Sequence, residues 1–250
     1  MESRRGPRKS GRMNGLAIAL GAVTMLSTLA GGAVAINLSR HLGLILSLTG
    51  GMVVAVSLID VLPEAMRNVG DAQRVGSLAA AGFVAFLIAE QAIVLHHRDD
   101  PDQARAHRQV GALGAAGLTV HSFIDGLAIG LAFQLDNGTG VVVAIAVIAH
   151  DFADGINTVT FVLAQGNRRR DAIPWLLADA VAPLAGVGAG SLVGVSATTL
   201  GEILAAYAGV FLYIGASDLL PRAHRHASRL SVVLTCAGFA FIYAVVQLGL

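Results

Sequence analysis

The stretch TGVVVAIAVIAHDFADGINTVTFVLA, residues 139–164, decides how the chain must fold. Every residue from Val141 to Ala149 is apolar, and after a polar island at His150-Asp151-Phe152-Ala153-Asp154 the apolar character largely resumes through Ala164. Nothing alternates as it would in a half-buried strand. The length matches the roughly 20 residues that an α-helix needs to cross the hydrocarbon of a bilayer. A titratable island at the centre of such a helix is costly, so it marks function or a partner inside the membrane.

Working outward, seven further stretches have the same character, at about 13–36, 43–65, 76–95, 111–133, 172–195, 201–220 and 231–250, so 139–164 is the fifth of eight segments. Of the 250 residues 55% are hydrophobic and 13% charged, and the mean hydropathy is +0.70. A soluble globule of this length exposes more charge. Disorder, collagen repeats and a disulfide scaffold are excluded by the apolar fraction, by glycines without a period of three, and by the single cysteine Cys236. A net charge of +1 argues against a nucleic-acid partner. Continuous rather than alternating apolarity argues against a membrane β-barrel. The first segment is preceded by Arg4, Arg5, Arg8, Lys9 and Arg12, as a signal peptide would be, but its apolar run is too long for one. The expectation is an all-α integral membrane protein, one transmembrane domain over 1–250. A basic tail occupies 1–12, and a histidine-bearing polar connection, 96–110, is the one loop of any length.

All 17 lysines and arginines fall outside the eight segments. The connections after the third, fifth and seventh segments are basic, whereas those after the fourth and sixth have no cation, which places the former in the cytoplasm and both termini outside it. The basic N-terminal tail argues the other way.

The acids are distributed differently. Asp60, Glu64, Glu90, Asp125, Asp151, Asp154, Asp179 and Asp218 lie within segments, and no lysine or arginine is there to neutralise them. Protons, histidine or a bound cation must supply the missing charge. The fourth segment contains His121-Ser122-Phe123-Ile124-Asp125-Gly126 and the fifth His150-Asp151-Phe152-Ala153-Asp154-Gly155, so H-x-F-x-D-G occurs twice. Residues four apart share a helical face, about 6 Å along the axis, so each helix presents an imidazole and a carboxylate to one side. Two such faces together form a site of two nitrogens and two carboxylates. Ser122 and Asp151 point about 100° away and could belong to a neighbouring second site. Gly126 and Gly155 leave room for close helix approach there. One intramembrane histidine is commonly a hydrogen-bonding residue between helices; the repetition favours metal. Imidazole with carboxylate suits zinc, iron(II) or manganese. Separately, Asp60-Val61-Leu62-Pro63-Glu64-Ala65 matches Asp218-Leu219-Leu220-Pro221-Arg222-Ala223 as D-x-L-P-x-A, which marks either an inverted repeat or simply two proline kinks.

Together the eight segments, the two histidine motifs and D-x-L-P-E-A resemble the ZIP (Zrt- and Irt-like) family of divalent metal transporters. The resemblance implies a 3+2+3 arrangement, inverted repeats flanking a central helix pair that holds a binuclear metal site midway across the membrane. Carried over, His121, Asp125, His150 and Asp154 match the ligand positions, and Ser122 and Asp151 those of the second metal. Ser122 stands where the family usually has asparagine, Asp154 where glutamate is common, and Ala153 where proline is common. In the sixth segment Ala182, not glutamate, precedes Pro183, leaving Asp179 as the nearest acid. Asp60 would line the approach from outside, with Asp218 its counterpart and Glu64 and Glu90 along the path. His96, His97 and His107 would handle metal on the cytoplasmic side unless they are ordinary solvated linker residues.

The expected function is import of a divalent cation, Zn2+ foremost with Fe2+, Mn2+ or Cd2+ as alternatives, by a multi-pass protein of the plasma or inner cell membrane. No organic cofactor and no enzymatic activity are expected, and whether two copies pair as a homodimer is left open. The competing readings are an intramembrane metal-dependent hydrolase, against which the absence of H-E-x-x-H speaks, and a proton-relay carrier for an organic ion, which leaves the paired histidines unexplained.

Overall fold

A computed structural model describes residues 15–98, 103–225 and 228–249. The basic tail 1–12 and the loop residues 99–102 lie outside the described residues. Within them all regular structure is helical. The α-helices are α1 Gly15–Leu38, α2 Leu42–Ala55, α3 Leu62–Val69, α4 Ala72–His96, α5 Gln103–Leu135, α6 Asn137–Ala164, α7 Arg169–Leu192, α8 Ala197–Tyr213, α9 Leu220–Ala223 and α10 Arg229–Gly249.

Seven helical stretches among the described residues are long and apolar enough to cross a membrane. The first, Gly15–Val69, runs for 55 residues, about 80 Å at 1.5 Å per residue and more than twice a ~30 Å hydrocarbon layer. Only a 3-10 turn, Ser39–His41, divides it, so the two segments expected at 13–36 and 43–65 form one near-continuous helical run. The polar connection expected at 96–110 is also largely helix, since α4 runs to His96 and α5 begins at Gln103. Hydropathy registers where lipid ends, and a helix can continue past that point into water.

The helices pack in two groups that cut across chain order. α1, α5, α6 and α7 form one; α2–α3, α4, α8–α9 and α10 form the other. Within each group backbones approach closely at glycine. A Cβ on Gly126 of α5 would sit 2.0 Å from the Pro183 carbonyl oxygen of α7, and one on Gly155 of α6 would sit 1.9 Å from that of Thr28 on α1. Gly82 and Gly209 join α4 to α8, and Gly51 and Gly238 join α2 to α10, in the same manner. Gly126 and Gly155 therefore do permit close approach, but to α7 and α1 rather than between α5 and α6. Each follows an aspartate by one residue and so faces about 100° from the histidine–aspartate face.

The two D-x-L-P stretches share one irregularity. Val56–Val61 and Ile214–Leu219 are π turns, in which Leu62 N–H bonds to the Ser57 carbonyl and Leu220 N–H to that of Gly215. The next residue is Pro63 or Pro221, whose ring lacks an N–H and crowds the carbonyl four residues back; widening the turn by one residue relieves both.

Candidate metal centre

Helices α5 and α6 form an antiparallel hairpin joined by Asp136 alone. The Asp136 carboxylate accepts the Thr139 backbone N–H at 2.9 Å and caps α6. This N-terminal hydrogen bond, and then the Thr139 hydroxyl, hold the exposed Asp136 carboxyl below the usual carboxylate range. From the cap, both arms reach His121 and His150 after about 20 Å, roughly half the length of α6. The two H-x-F-x-D-G motifs are thereby brought level.

His121, Asp125, His150 and Asp154, all buried, offer one ligand atom each within 4.8 Å of one another. Asp125 Oδ2 lies 3.0 Å from His121 Nε2 and 3.2 Å from His150 Nε2, and Asp154 Oδ2 lies 4.0 Å from His150 Nε2. Ligands at about 2.0–2.1 Å from a tetrahedral zinc stand about 3.3 Å apart, so closing the widest spacing takes about 1.5 Å, shared between two side chains. Two orphaned features point the same way: Asp154 Oδ2 and both ring nitrogens of His121 are buried without a hydrogen bond. Two carboxylates and two neutral imidazoles would neutralise a divalent cation, which removes the cost of burying the acids uncompensated.

Asp60, from the first π turn, joins this cluster, with Oδ2 3.5 Å from His150 Nδ1. Its side chain is 27% exposed against 11% for Asp125, the next most exposed of the five, so Asp60 forms the exposed rim. On the opposite flank α8 contributes aromatic rings. Phe211 meets His121 edge-on at 4.5 Å between centroids, and Tyr207 lies at 6.3 Å. The cluster thus sits where the two helix groups meet, with its four inner ligands on one group and Asp60, Tyr207 and Phe211 on the other.

The remaining expected site residues are dispersed. Ser122 donates its hydroxyl to Asp179 Oδ1 at 2.7 Å, and Thr158 donates to Asp179 Oδ2 at 2.7 Å. Asp151 is fully buried with neither carboxylate oxygen hydrogen-bonded. Glu64 is half-exposed and bonded to Arg67 at 2.7 Å and Asn68 at 3.0 Å. Asp218 has a counter-charge after all: Arg222, read from sequence as a loop cation, contacts Asp218 Oδ1 at 2.5 Å, and Gln165 donates to Oδ2 at 2.8 Å. Glu90 neighbours Tyr213 and Asp218. His96 and His107 lie exposed on helices, whereas His97 is buried, with Nε2 3.0 Å from Gln109 Oε1. Thr158, Gln165, Tyr207 and Phe211 escaped the sequence reading. Thr158 and Gln165 continue the α6 face that bears Asp154, and the i, i+4 spacing of Tyr207 and Phe211 was a usable signal.

The chain is 37% identical over 105 residues to the zinc transporter ZIP4 of Homo sapiens, covering 42% of this chain and 16% of that protein. It is 30% identical over 139 residues to the zinc transporter SLC39A7 of Canis lupus familiaris, covering 52% of this chain and 30% of that one. The matches thus span less than a third of those relatives' own length. A family model described as ZIP zinc transporter matches residues 95–245, which include all four clustered ligands. On that match, extending over more than half of its length, the chain belongs to the ZIP zinc transporter family.

Proposed function

We propose that this protein carries a divalent cation, zinc foremost, across the membrane by way of the His121–Asp125–His150–Asp154 cluster. One observation carries the reading: two motifs far from any helix end converge into four buried ligand atoms within 4.8 Å, at the seam between two helix groups. A resident structural metal needs no such seam, whereas a transported ion must reach solvent on both sides in turn. Asp60, at the exposed rim, attracts the hydrated ion; the buried ligands replace its water; a shift of one group against the other releases it. Glycine seams within each group and side-chain contacts between them support motion of the groups as units.

The membrane topology belongs to this proposal. The Gly15–Val69 run supplies two crossings, which with the other six stretches gives eight. The packing supports inverted repeats: α1 on α6 pairs with α7 on α5, and α4 on α8 with α10 on α2. Each repeat carries its π turn and aspartate at the matching point. Basic residues after the third, fifth and seventh segments support a cytoplasmic position for those connections, and import is the direction we propose. The name of the ZIP4 relative favours zinc as cargo; the oxygen and nitrogen donors also accommodate Fe2+, Mn2+ and Cd2+.

Uptake of radiolabelled zinc into proteoliposomes tests this directly. Wild type is expected to accumulate zinc, and the His121→Ala, His150→Ala double variant to fall to the protein-free rate. Equal uptake by the two would end the proposal.

A further inference from the structure

The two D-x-L-P stretches have the same backbone but opposite charge at one position. Four residues after the aspartate stands Glu64 in the first and Arg222 in the second. Glu64 turns to Arg67 and Asn68, which leaves Asp60 free to face His150. Arg222 instead turns back onto its own aspartate. Its Nε donates to Asp218 Oδ1 at 2.5 Å, Nη2 to Gln165 Oε1 at 2.9 Å and Nη1 to the Ala164 carbonyl at 3.1 Å. Gln165 Nε2 closes the ring on Asp218 Oδ2 at 2.8 Å. Both oxygens of the Asp218 carboxylate are therefore engaged, and the ring lies on the α6 stripe that leads away from His150 and Asp154. Glu90 feels the charges of both Asp218 and Arg222 and keeps one buried oxygen without a hydrogen bond.

Resting on the transport reading above, we propose that Arg222 is a tethered counter-cation that takes a passing ion's place at Asp218, so that the cargo is held at the histidine cluster alone. A metal leaving the cluster meets an acid already neutralised and is not retained there. Removing the guanidinium leaves Asp218 buried and unpaired, the costly condition that recruits a cation. Asp218, Glu90 and the Gln165 carbonyl oxygen then offer oxygen donors of the kind that suit Mn2+. The residue four positions after the aspartate decides whether each repeat binds an ion or spares it.

The test uses the full chain in detergent micelles and counts bound Mn2+ from the loss of free-ion signal in electron paramagnetic resonance. All variants are built on His121→Ala, His150→Ala, so the histidine cluster does not contribute. Adding Arg222→Gln is expected to gain about one Mn2+ per chain, at least tenfold tighter than the parent. Arg222→Glu, which reproduces the first repeat, is expected to bind more tightly still. Arg222→Lys, and Arg222→Gln combined with Asp218→Asn, are expected to gain nothing. No gain in either Gln or Glu variant overturns the proposal, as does a gain that survives Asp218→Asn. Loss of fold in those variants that Mn2+ does not restore counts against it too. The transport reading is judged separately, by whether the parent loses the metal that wild type binds.

Discussion

Replacing Gly126 by alanine tests how the seam between α5 and α7 holds the site together. The added Cβ would lie 2.0 Å from the Pro183 carbonyl oxygen and 2.7 Å from its Cα. Carbon–oxygen contacts begin at about 3.3 Å, so the helices must separate by roughly 1.3 Å. One turn earlier on both helices, Ser122 donates to Asp179 across the same seam at 2.7 Å. The same separation along that line would stretch the bond to about 4 Å, past any hydrogen bond. Overpacking typically costs about 1–3 kcal/mol and a stranded buried acceptor about 1–3 more. We therefore expect a loss of about 2–6 kcal/mol, or roughly 4–24 °C in the apparent melting temperature of the micellar protein. Displacement of His121 and Asp125 by even half an ångström also loosens metal binding, by about 10–100-fold. Gly188→Ala, on the same α7 with nothing within 4 Å of its added Cβ, is the control and should change neither quantity. Scanning fluorimetry and zinc titration read both. If Gly126→Ala and Gly188→Ala melt together, the seam does not govern the site and the reasoning fails.

Asp125→Asn removes the carboxylate that both histidines approach, at 3.0 and 3.2 Å, and zinc affinity measured by competition with a chelating dye should fall at least about 100-fold. Thr158→Val keeps the shape but deletes one donor to Asp179; we expect a stability loss of about 1–2 kcal/mol in thermal melts and near-normal zinc affinity. Because the Asp136 carboxyl is depressed by its hydrogen bonds to Thr139, its capping is present above the unfolded carboxyl range near about pH 4 and is lost as pH falls through the lower folded value. Hydrogen-exchange protection of the Thr139 amide should therefore drop in acid for wild type and stay level for Asp136→Asn, which caps without titrating. Glu202→Gln breaks an ion pair with the exposed Arg74 and should shift stability by less than about 1 kcal/mol in the same melts.

Local periodicity made much of this protein legible. An imidazole and a carboxylate four residues apart share a face wherever the helix goes, so the pairs 121/125 and 150/154 could be read before any packing was known, and apolar length alone located the long apolar helices. What stayed hidden depends on which helix lies opposite. Gly126 announces a close approach, but nothing in its neighbourhood says that the partner is Pro183. That Asp179 accepts two hydroxyl donors stayed hidden because they come from separate helices. Arg222 looked like a topology signal because hydropathy cannot tell a cation reaching into water from one folded back onto Asp218. The break at Ser39–His41 was legible because its arginine and histidine end the apolar run where the α-helix gives way to a 3-10 turn.

The single residue between α5 and α6 has a consequence for biogenesis. All four ligands lie within residues 121–154, on one hairpin with the shortest of connections, so their meeting requires almost no loop closure. During synthesis this hairpin leaves the ribosome ahead of α7 to α10, so the four clustered side chains can meet before those helices pack. The later helices then assemble around a pre-formed charged hairpin, and a metal ion present at that moment would ease its passage into lipid.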